Sequence, residues 1–235
     1  MAQPIEDDAR LGKKVVLMAR QHPAGERGAK LSLKEVAEYS WKARMSPLLR
    51  AWATQVLDKA GVSRGGRRQK ARAILDAYRK RVPYISDPVM GEFMATPDQL
   101  LCLDKDGLCI IGADCDEAAI TLIAAMFCLG INAMVVGSSH KEPHNTPTHV
   151  FMAFQGELND WVKMDGTTNH PVGQTAPHVR EWWIEPGKEA KESGTGDFVG
   201  MSEKHVGVSG QLSGSSDAFD LRYPGLTSSP ARKPQ

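Results

Sequence analysis

The pattern of apolar positions predicts three helices in the first third of the chain: over residues 32–44, from Pro47 onward, and over residues 68–81. The second helix has clear ends, because Ser46 can cap it, Pro47 suits its first turn and Gly61 follows its last periodic position. The positions expected to face the core are Leu33, Val36, Ala37, Ser40, Leu48, Leu49, Trp52, Val56, Leu57, Ile74, Leu75 and Tyr78.

A fourth helix, apolar around most of its circumference, is predicted from about residue 115 to about residue 129. Asp114 can cap its first turn with Glu117 as the capping-box partner, and Gly130 stands where a C-terminal cap belongs. A helix with this all-round apolar surface is typical of a buried and central position. We therefore expect the rest of the domain to pack around it.

Two strands are predicted after this helix, in the segments THVFMAF and WVKMD. Alternation places one apolar set on the core side, namely Val150, Met152, Phe154, Val162 and Met164. A turn centred on Glu157, with QGELN as the loop, gives an all-apolar match on that side, with Val150 opposite Met164. The same register sets His149 opposite Asp165 on the other face, within reach of a hydrogen bond.

Cys115 is predicted to lie in the first turn of the central helix. Unbonded N–H groups and the helix dipole favour a thiolate there, and can lower a cysteine pKa from about 8.5 to about 3.5–7.5. Three neighbouring carboxylates act in the opposite direction, so a nearby imidazole would help to offset them. With His149 oriented by Asp165, the sequence predicts a thiol–imidazole–carboxylate triad. The alternatives are a small buried cysteine and an incidental cross-strand pair.

Other candidate chemistry is weaker. The four cysteines are Cys102, Cys109, Cys115 and Cys128. Because Cys115 and Cys128 lie in an apolar helical pattern, we expect reduced thiols, and the lack of a C-x-x-C motif argues against a zinc knuckle. His140, His144 and His149 suggest a metal cluster, but they belong to a loop with Pro and Ser rather than to one helix face. We therefore expect no metal and no cofactor.

Charge is unevenly distributed, although the formal net charge is only +1. Residues 1–80 contain 18 Lys and Arg against 8 Asp and Glu, and the remaining 155 residues contain 11 against 20. A basic region can contact nucleic acid, but no basic motif interleaved with aromatics is present. We expect solvated helix faces that dock on an acidic body, and no nucleic-acid partner.

The N-terminal segment MAQPIEDDARLGKK has acids where a signal peptide needs a basic start and an apolar run. The nearly apolar stretch from Ala118 to Val136 is interrupted by Gly130 and Asn132, so we interpret it as a helix followed by a strand rather than a membrane span. We expect no membrane contact, and a location in the cytoplasm of the producing cell.

Composition divides the chain into a basic helical extension (1–66), a core (67–186) and a Gly/Ser-rich tail (187–235) that is extended or disordered. Within about residues 70–170, the segments VPYISDP, ATPDQLL, ADCDEAAITL, LGINAMVVG, THVFMAF and WVKMDGTT follow one another. This succession resembles the transglutaminase-like (papain-like fold) superfamily, in its compact bacterial and phage form. The chain has ADC where GDC is common, and DGTT where DPT is common.

The resemblance implies an α+β fold, with a central buried helix packed on an antiparallel sheet. It also implies that Cys115 is the nucleophile, His149 the general base and acid, and Asp165 the orienting carboxylate. The implied function is a cysteine hydrolase or acyltransferase that acts on amide bonds of a peptide, protein or peptidoglycan through a thioester. The alternative is a structural component of a bacteriophage-like particle with an idle triad, in which the N-terminal helices and the tail contact an assembly partner.

Overall fold

The computed structural model describes residues 18–20, 25–86, 92–101, 111–140, 146–188, 191–192, 198–199 and 201–205. Its helices are α1 (Glu26–Ala43), α2 (Pro47–Lys59), α3 (Arg67–Arg81), α4 (Pro97–Leu100) and α5 (Cys115–Cys128). Its strands are β1 (Met18–Arg20), β2 (Glu92–Met94), β3 (Ala133–Ser139), β4 (His149–Gln155), β5 (Trp161–Met164), β6 (Arg180–Ile184), β7 (Lys191–Glu192), β8 (Phe198–Val199) and β9 (Met201–His205). The fold class is therefore α+β, as predicted.

The second predicted helix, α2, is confirmed in detail. The Ser46 hydroxyl accepts a hydrogen bond from the Leu49 backbone N–H at 3.0 Å, Pro47 is the first helical residue, and Gly61 adopts a φ of 68° after the last turn. One inward position is wrong, because Leu48 is 47% exposed.

Helix α1 begins at Glu26, six residues before the predicted start at residue 32. The additional turn comes from a segment that reads as a loop in sequence, where Glu26 and Lys30 form an i,i+4 ion pair at 2.5 Å. Lys30 is buried on this turn.

The apolar core is built around α5. Helices α1 and α2, from the predicted extension, share one buried cluster with α3, α5 and the sheet; among its members are Leu33, Val36, Leu49, Trp52, Ile74, Leu75, Ile120, Leu122, Ile123 and Met126. The helix at Cys115 and the strand β3 after it confirm the helix-then-strand interpretation. In the described part of the chain, no helix combines the length and apolar character needed to cross a bilayer.

The main sheet has five antiparallel strands in the order β5-β4-β3-β6-β9. Its core face meets the helices through residues such as Val150, Met152, Phe154 and Met164. Its outer face carries a separate buried cluster, consisting of Val136, Phe151, Ala153 and Trp183. Strand β9, which belongs to the segment expected as a tail, pairs with β6 and forms one edge of the sheet.

The predicted hairpin register is wrong by two residues. Met152, not Val150, lies opposite Met164. The loop is GELND, in which the Gly156 N–H bonds the Asp160 carbonyl at 2.8 Å and Asn159 adopts a left-handed φ of 59°. Because side chains alternate with a period of two, a slip of two residues keeps every side chain on its predicted face.

Candidate active site

The first strand residue of β4, His149, is hydrogen-bonded to the carboxylate just after β5. His149 Nε2 and Asp165 Oδ2 lie 2.8 Å apart. The two residues are diagonal neighbours in the observed register, rather than directly opposite. The Asp165 side chain is 1% exposed and the His149 side chain 17% exposed, so the carboxylate is sequestered while the imidazole meets solvent.

Asp165 is held by hydrogen bonds to its side chain and to its backbone carbonyl. Its Oδ1 accepts hydrogen bonds from the backbone N–H and the hydroxyl of Thr167, at 2.9 and 2.8 Å. Arg79, on α3, donates to the backbone carbonyls of Asp165 and His170, at 2.7 and 2.8 Å. Burial raises the pKa of the Asp165 carboxyl. The hydrogen bond and charge of His149, together with the two hydrogen bonds from Thr167, outweigh burial and lower the pKa overall.

The ionised Asp165 determines the tautomer of His149. A carboxylate only accepts hydrogen bonds, so His149 Nε2 holds the hydrogen in their shared bond. In the neutral ring, the lone pair then belongs to Nδ1. Such a ring can accept a proton at Nδ1 while the carboxylate stabilises the resulting imidazolium.

Cys115 is the first residue of α5, and it is half-buried. The backbone N–H of Val150, the neighbour of His149 in β4, donates toward the sulphur and acts to lower the thiol pKa. The thiol itself donates to Asp116 Oδ1 over 3.6 Å. The other oxygen of Asp116 accepts from the Ser32 hydroxyl on α1 at 3.0 Å, so α1 holds the carboxylate against the thiol.

Of the two opposing effects predicted for the Cys115 pKa, the carboxylates prevail over the helix start. Burial, followed by the charges of Asp116 and Asp114, raises the pKa of the thiol well above its ordinary range. The dipole of the helix start does not compensate for lost solvation and two adjacent carboxylates. The resting group at neutral pH is therefore a thiol and not a thiolate.

The capping box at the start of α5 has the predicted partners. Asp114 accepts from the Asp116 N–H at 2.8 Å, and Glu117 accepts from the N–H groups of Asp114 and Ala95 at 3.0 and 3.2 Å. Burial, followed by the charge of Asp114, raises the pKa of Glu117 to about 10. Glu117 is therefore protonated at neutral pH.

Sequence reasoning missed three residues that hold these groups in place. Thr167 has a local signal, because a Thr two residues after an Asp commonly bonds its carboxylate. Ser32 and Arg79 have none, since each lies more than 80 residues from the group it contacts. Cys102, Cys109 and His144 lie outside the described residues.

The described residues near the candidate site include potential metal ligands. Among the described residues, Asp114, Cys115 and Asp116 form a group whose ligand atoms all lie within 4.8 Å of one another. His140, just after β3, has its ring centroid 6.1 Å from that of His149, and its Nδ1 lies 2.6 Å from the Pro177 carbonyl oxygen.

A second histidine–carboxylate pair occupies the same sheet face. Ser138 of β3 is opposed by His149 on one side and Glu181 on the other, so both belong to the outer face. Glu181 is bonded by His178, by Lys163 and, at 2.9 Å, by Trp183 Nε1. Burial raises the pKa of Glu181, but these bonds outweigh it and lower the pKa to about 2.

No protein family and no curated protein matches the chain in sequence. Among solved structures it is similar to a transglutaminase, with a TM-score of 0.34 and 17% identity over 55% of this chain and 34% of that one. It is also similar to a provisionally assigned protease from Parabacteroides distasonis, with a TM-score of 0.44 and 12% identity over 68% of this chain and 37% of that one. The chain thus spans about a third of the length of each of these structures, and the likeness concerns part of the fold alone.

Proposed function

We propose that the chain is a transglutaminase-like cysteine hydrolase or acyltransferase that acts on amide bonds of a peptide, protein or peptidoglycan. In this proposal Cys115 is the nucleophile, His149 the general base and acid, and Asp165 the orienting carboxylate. The observation that carries it is the 2.8 Å hydrogen bond between His149 Nε2 and the buried Asp165, because that bond leaves Nδ1 as the proton acceptor.

The raised pKa of Cys115 determines how the nucleophile is activated. Because burial and the adjacent carboxylates raise the pKa of the thiol, the base has to take its proton during the attack on the substrate. The proton moves from the sulphur to His149 Nδ1 as the sulphur bonds to the substrate carbonyl carbon. Asp165, which accepts from Nε2 throughout, stabilises the positive charge that the ring gains.

The same nitrogen then completes the acyl transfer. The Nδ1 proton passes to the leaving amine as the carbon–nitrogen bond breaks, which leaves a thioester on Cys115. Water or an acceptor amine adds to the thioester and gives its proton to Nδ1. The carbon–sulphur bond breaks, the sulphur recovers its proton from Nδ1, and the free acid or the new amide is released.

The test is acyl-enzyme trapping with peptide and cell-wall fragment libraries, followed by intact-mass and peptide-level mass spectrometry. We expect a hydroxylamine-labile thioester on Cys115, absent in Cys115→Ala and strongly slowed in His149→Gln. Cys128→Ala is the matched control, because Cys128 ends the same helix, and its Sγ lies 3.3 Å from the Arg44 carbonyl. This control should acylate like the wild type.

Two outcomes would contradict the proposal. One is a wild-type protein that acquires no thioester from any library member, and the other is a Cys115 adduct that forms equally fast in His149→Gln. Urea unfolding of each variant shows that the comparison is made between folded proteins. Adding a primary amine to the trapped species then separates hydrolysis from transfer, since an acyltransferase converts the thioester into an amide product faster than water hydrolyses it.

A further inference from the structure

His140 and His149 come from neighbouring strands and lie side by side at the candidate site. His140 follows the last residue of β3, and His149 is the first residue of β4. Their ring centroids are 6.1 Å apart and their planes are tilted by 32°. His140 is exposed and the His149 side chain is 17% exposed, so solutes can approach both rings.

Each ring has one nitrogen committed to a group that can only accept a hydrogen bond. His140 Nδ1 lies 2.6 Å from the Pro177 carbonyl oxygen, and His149 Nε2 lies 2.8 Å from the Asp165 carboxylate. The hydrogens therefore reside on those two nitrogens, and in the neutral rings the lone pairs reside on His140 Nε2 and His149 Nδ1. Metal-binding histidines are typically oriented in this way, with the second N–H donated to a carboxylate or a backbone carbonyl.

We propose that a divalent transition-metal ion of the zinc type binds between His140 and His149, and that it occupies the ring nitrogen that the proposed reaction uses as its base. Two imidazoles that share an ion at about 2.0–2.1 Å from each nitrogen have centroids about 5–6 Å apart. The observed centroid separation of 6.1 Å lies just above that range. Neutral imidazole selects zinc, copper or nickel ions over calcium and magnesium, which prefer oxygen ligands.

The rival ligand set is Asp114, Cys115 and Asp116. Its oxygens already serve the protein: Asp114 accepts from the Asp116 N–H, and Asp116 accepts from the Ser32 hydroxyl and the Cys115 thiol. An ion there would displace the cap of α5 and two side-chain hydrogen bonds. The two histidines, in contrast, would lose no hydrogen bond seen in the described residues.

The binding test uses Zn²⁺ alone, titrated into the full chain against a chromogenic chelator. We expect one Zn²⁺ per chain, at least tenfold weaker binding in both His140→Gln and His149→Gln, and wild-type binding in the control His170→Gln. Millimolar Ca²⁺ should not compete. Wild-type affinity in His140→Gln, or no saturable binding in the wild type, would overturn the proposal. Loss of binding in Cys115→Ser together with its retention in His140→Gln would place the ion on the rival set and would equally overturn it.

The inhibitory part rests on the proposed function and has its own measurement. Saturating Zn²⁺ should slow thioester formation on Cys115 at least tenfold, EDTA should restore it, and in His140→Gln the ratio of rates without and with Zn²⁺ should fall close to one. A saturated wild-type protein that acylates at full speed would overturn this part. If no thioester forms at all, the proposed function fails while the titration still decides the metal site.

Discussion

Two histidine–carboxylate pairs stand on the outer face of one sheet, and they differ in what the second ring nitrogen does. In the pair His149–Asp165, the ring nitrogen Nε2 is hydrogen-bonded to the carboxylate at 2.8 Å. Among the described residues, no hydrogen bond is made to the other ring nitrogen, Nδ1. In the pair His178–Glu181, both nitrogens are engaged, since Nδ1 lies 2.8 Å from the Ala176 carbonyl and Nε2 contacts Glu181. A ring with one free lone pair can exchange protons, whereas a ring hydrogen-bonded at both nitrogens is held in a fixed orientation.

The two pairs also differ in solvent exposure. The His178 and Glu181 side chains are 5% and 3% exposed, and Lys163 and Trp183 complete the bonding of the carboxylate. The His149 side chain is 17% exposed, so its ring can meet a substrate. We call His149–Asp165 the open pair and His178–Glu181 the closed pair. The comparison assigns chemistry to the open pair and stability to the closed pair, and matched substitutions in the two pairs test this assignment.

The largest contrast is expected between His149→Gln and His178→Gln. The first removes the proposed base and should slow thioester formation by about 10²–10⁴-fold, with little change in stability. The second removes hydrogen bonds to a charged and buried carboxylate and should lower the free energy of unfolding by about 1.5–3 kcal/mol. Acylation rates from mass spectrometry and urea unfolding measure the two effects. Wild-type acylation in His149→Gln would end the assignment of chemistry to the open pair.

Replacing the carboxylates should repeat the contrast. Asp165→Asn keeps the shape but removes the charge that orients and stabilises the imidazolium, so acylation should fall by about 10²–10³-fold. Glu181→Gln leaves Lys163 and His178 without their shared counter-ion, so the free energy of unfolding should fall by about 3 kcal/mol. Thermal unfolding and single-turnover acylation are measured on both variants. If Glu181→Gln abolishes acylation in a protein of full stability, the closed pair takes part in the chemistry.

The pH dependence of stability should report the closed pair. The pKa of Glu181 falls from 4.5 to about 2 on folding, so its ionised form stabilises the fold above about pH 4.5. This contribution, about 3 kcal/mol, is lost as the pH falls from about 4.5 toward 2. Urea unfolding between pH 7 and pH 2.5 should show a shallower decline in Glu181→Gln than in the wild type. Parallel curves would exclude Glu181 as a source of acid sensitivity.

The parts of the site that the sequence predicts are those with local causes. The start of α5 at Cys115 follows from the Asp114–Glu117 capping box, and the shared face of His149 and Asp165 follows from strand alternation. The register of the hairpin does not follow from local sequence, because Gly156 and Asn159 set the turn. The faces are nevertheless predicted correctly, since a slip of two residues leaves each side chain on the same face.

The remaining features depend on contacts that no local pattern contains. Ser32 and Arg79 reach the site from α1 and α3, and the beginning of α1 is helical although its sequence resembles a loop. The balance of the opposing effects on the Cys115 pKa could not be predicted for the same reason, since a helix start is visible in sequence while burial of the sulphur is not. Strand β9 likewise joins the sheet through a partner strand, β6, that only the fold supplies.

The smallest and sharpest contrast removes one supporting donor from each carboxylate. Thr167→Val deletes the hydroxyl that donates to Asp165 at 2.8 Å but keeps the shape and the backbone N–H bond at 2.9 Å. Trp183→Phe deletes the Nε1–H that donates to Glu181 at 2.9 Å. Each carboxylate keeps its other donors, so loss of one such bond should cost about 1.5 kcal/mol, the lower end for a bond to a charged group. In Thr167→Val that cost should appear as about tenfold slower acylation, because the carboxylate that orients the imidazole is less restrained. In Trp183→Phe it should appear as lower stability, with acylation changed less than about twofold. The opposite pattern, a slower Trp183→Phe and an unaffected Thr167→Val, would mean that the closed pair supports the chemistry and the open pair does not.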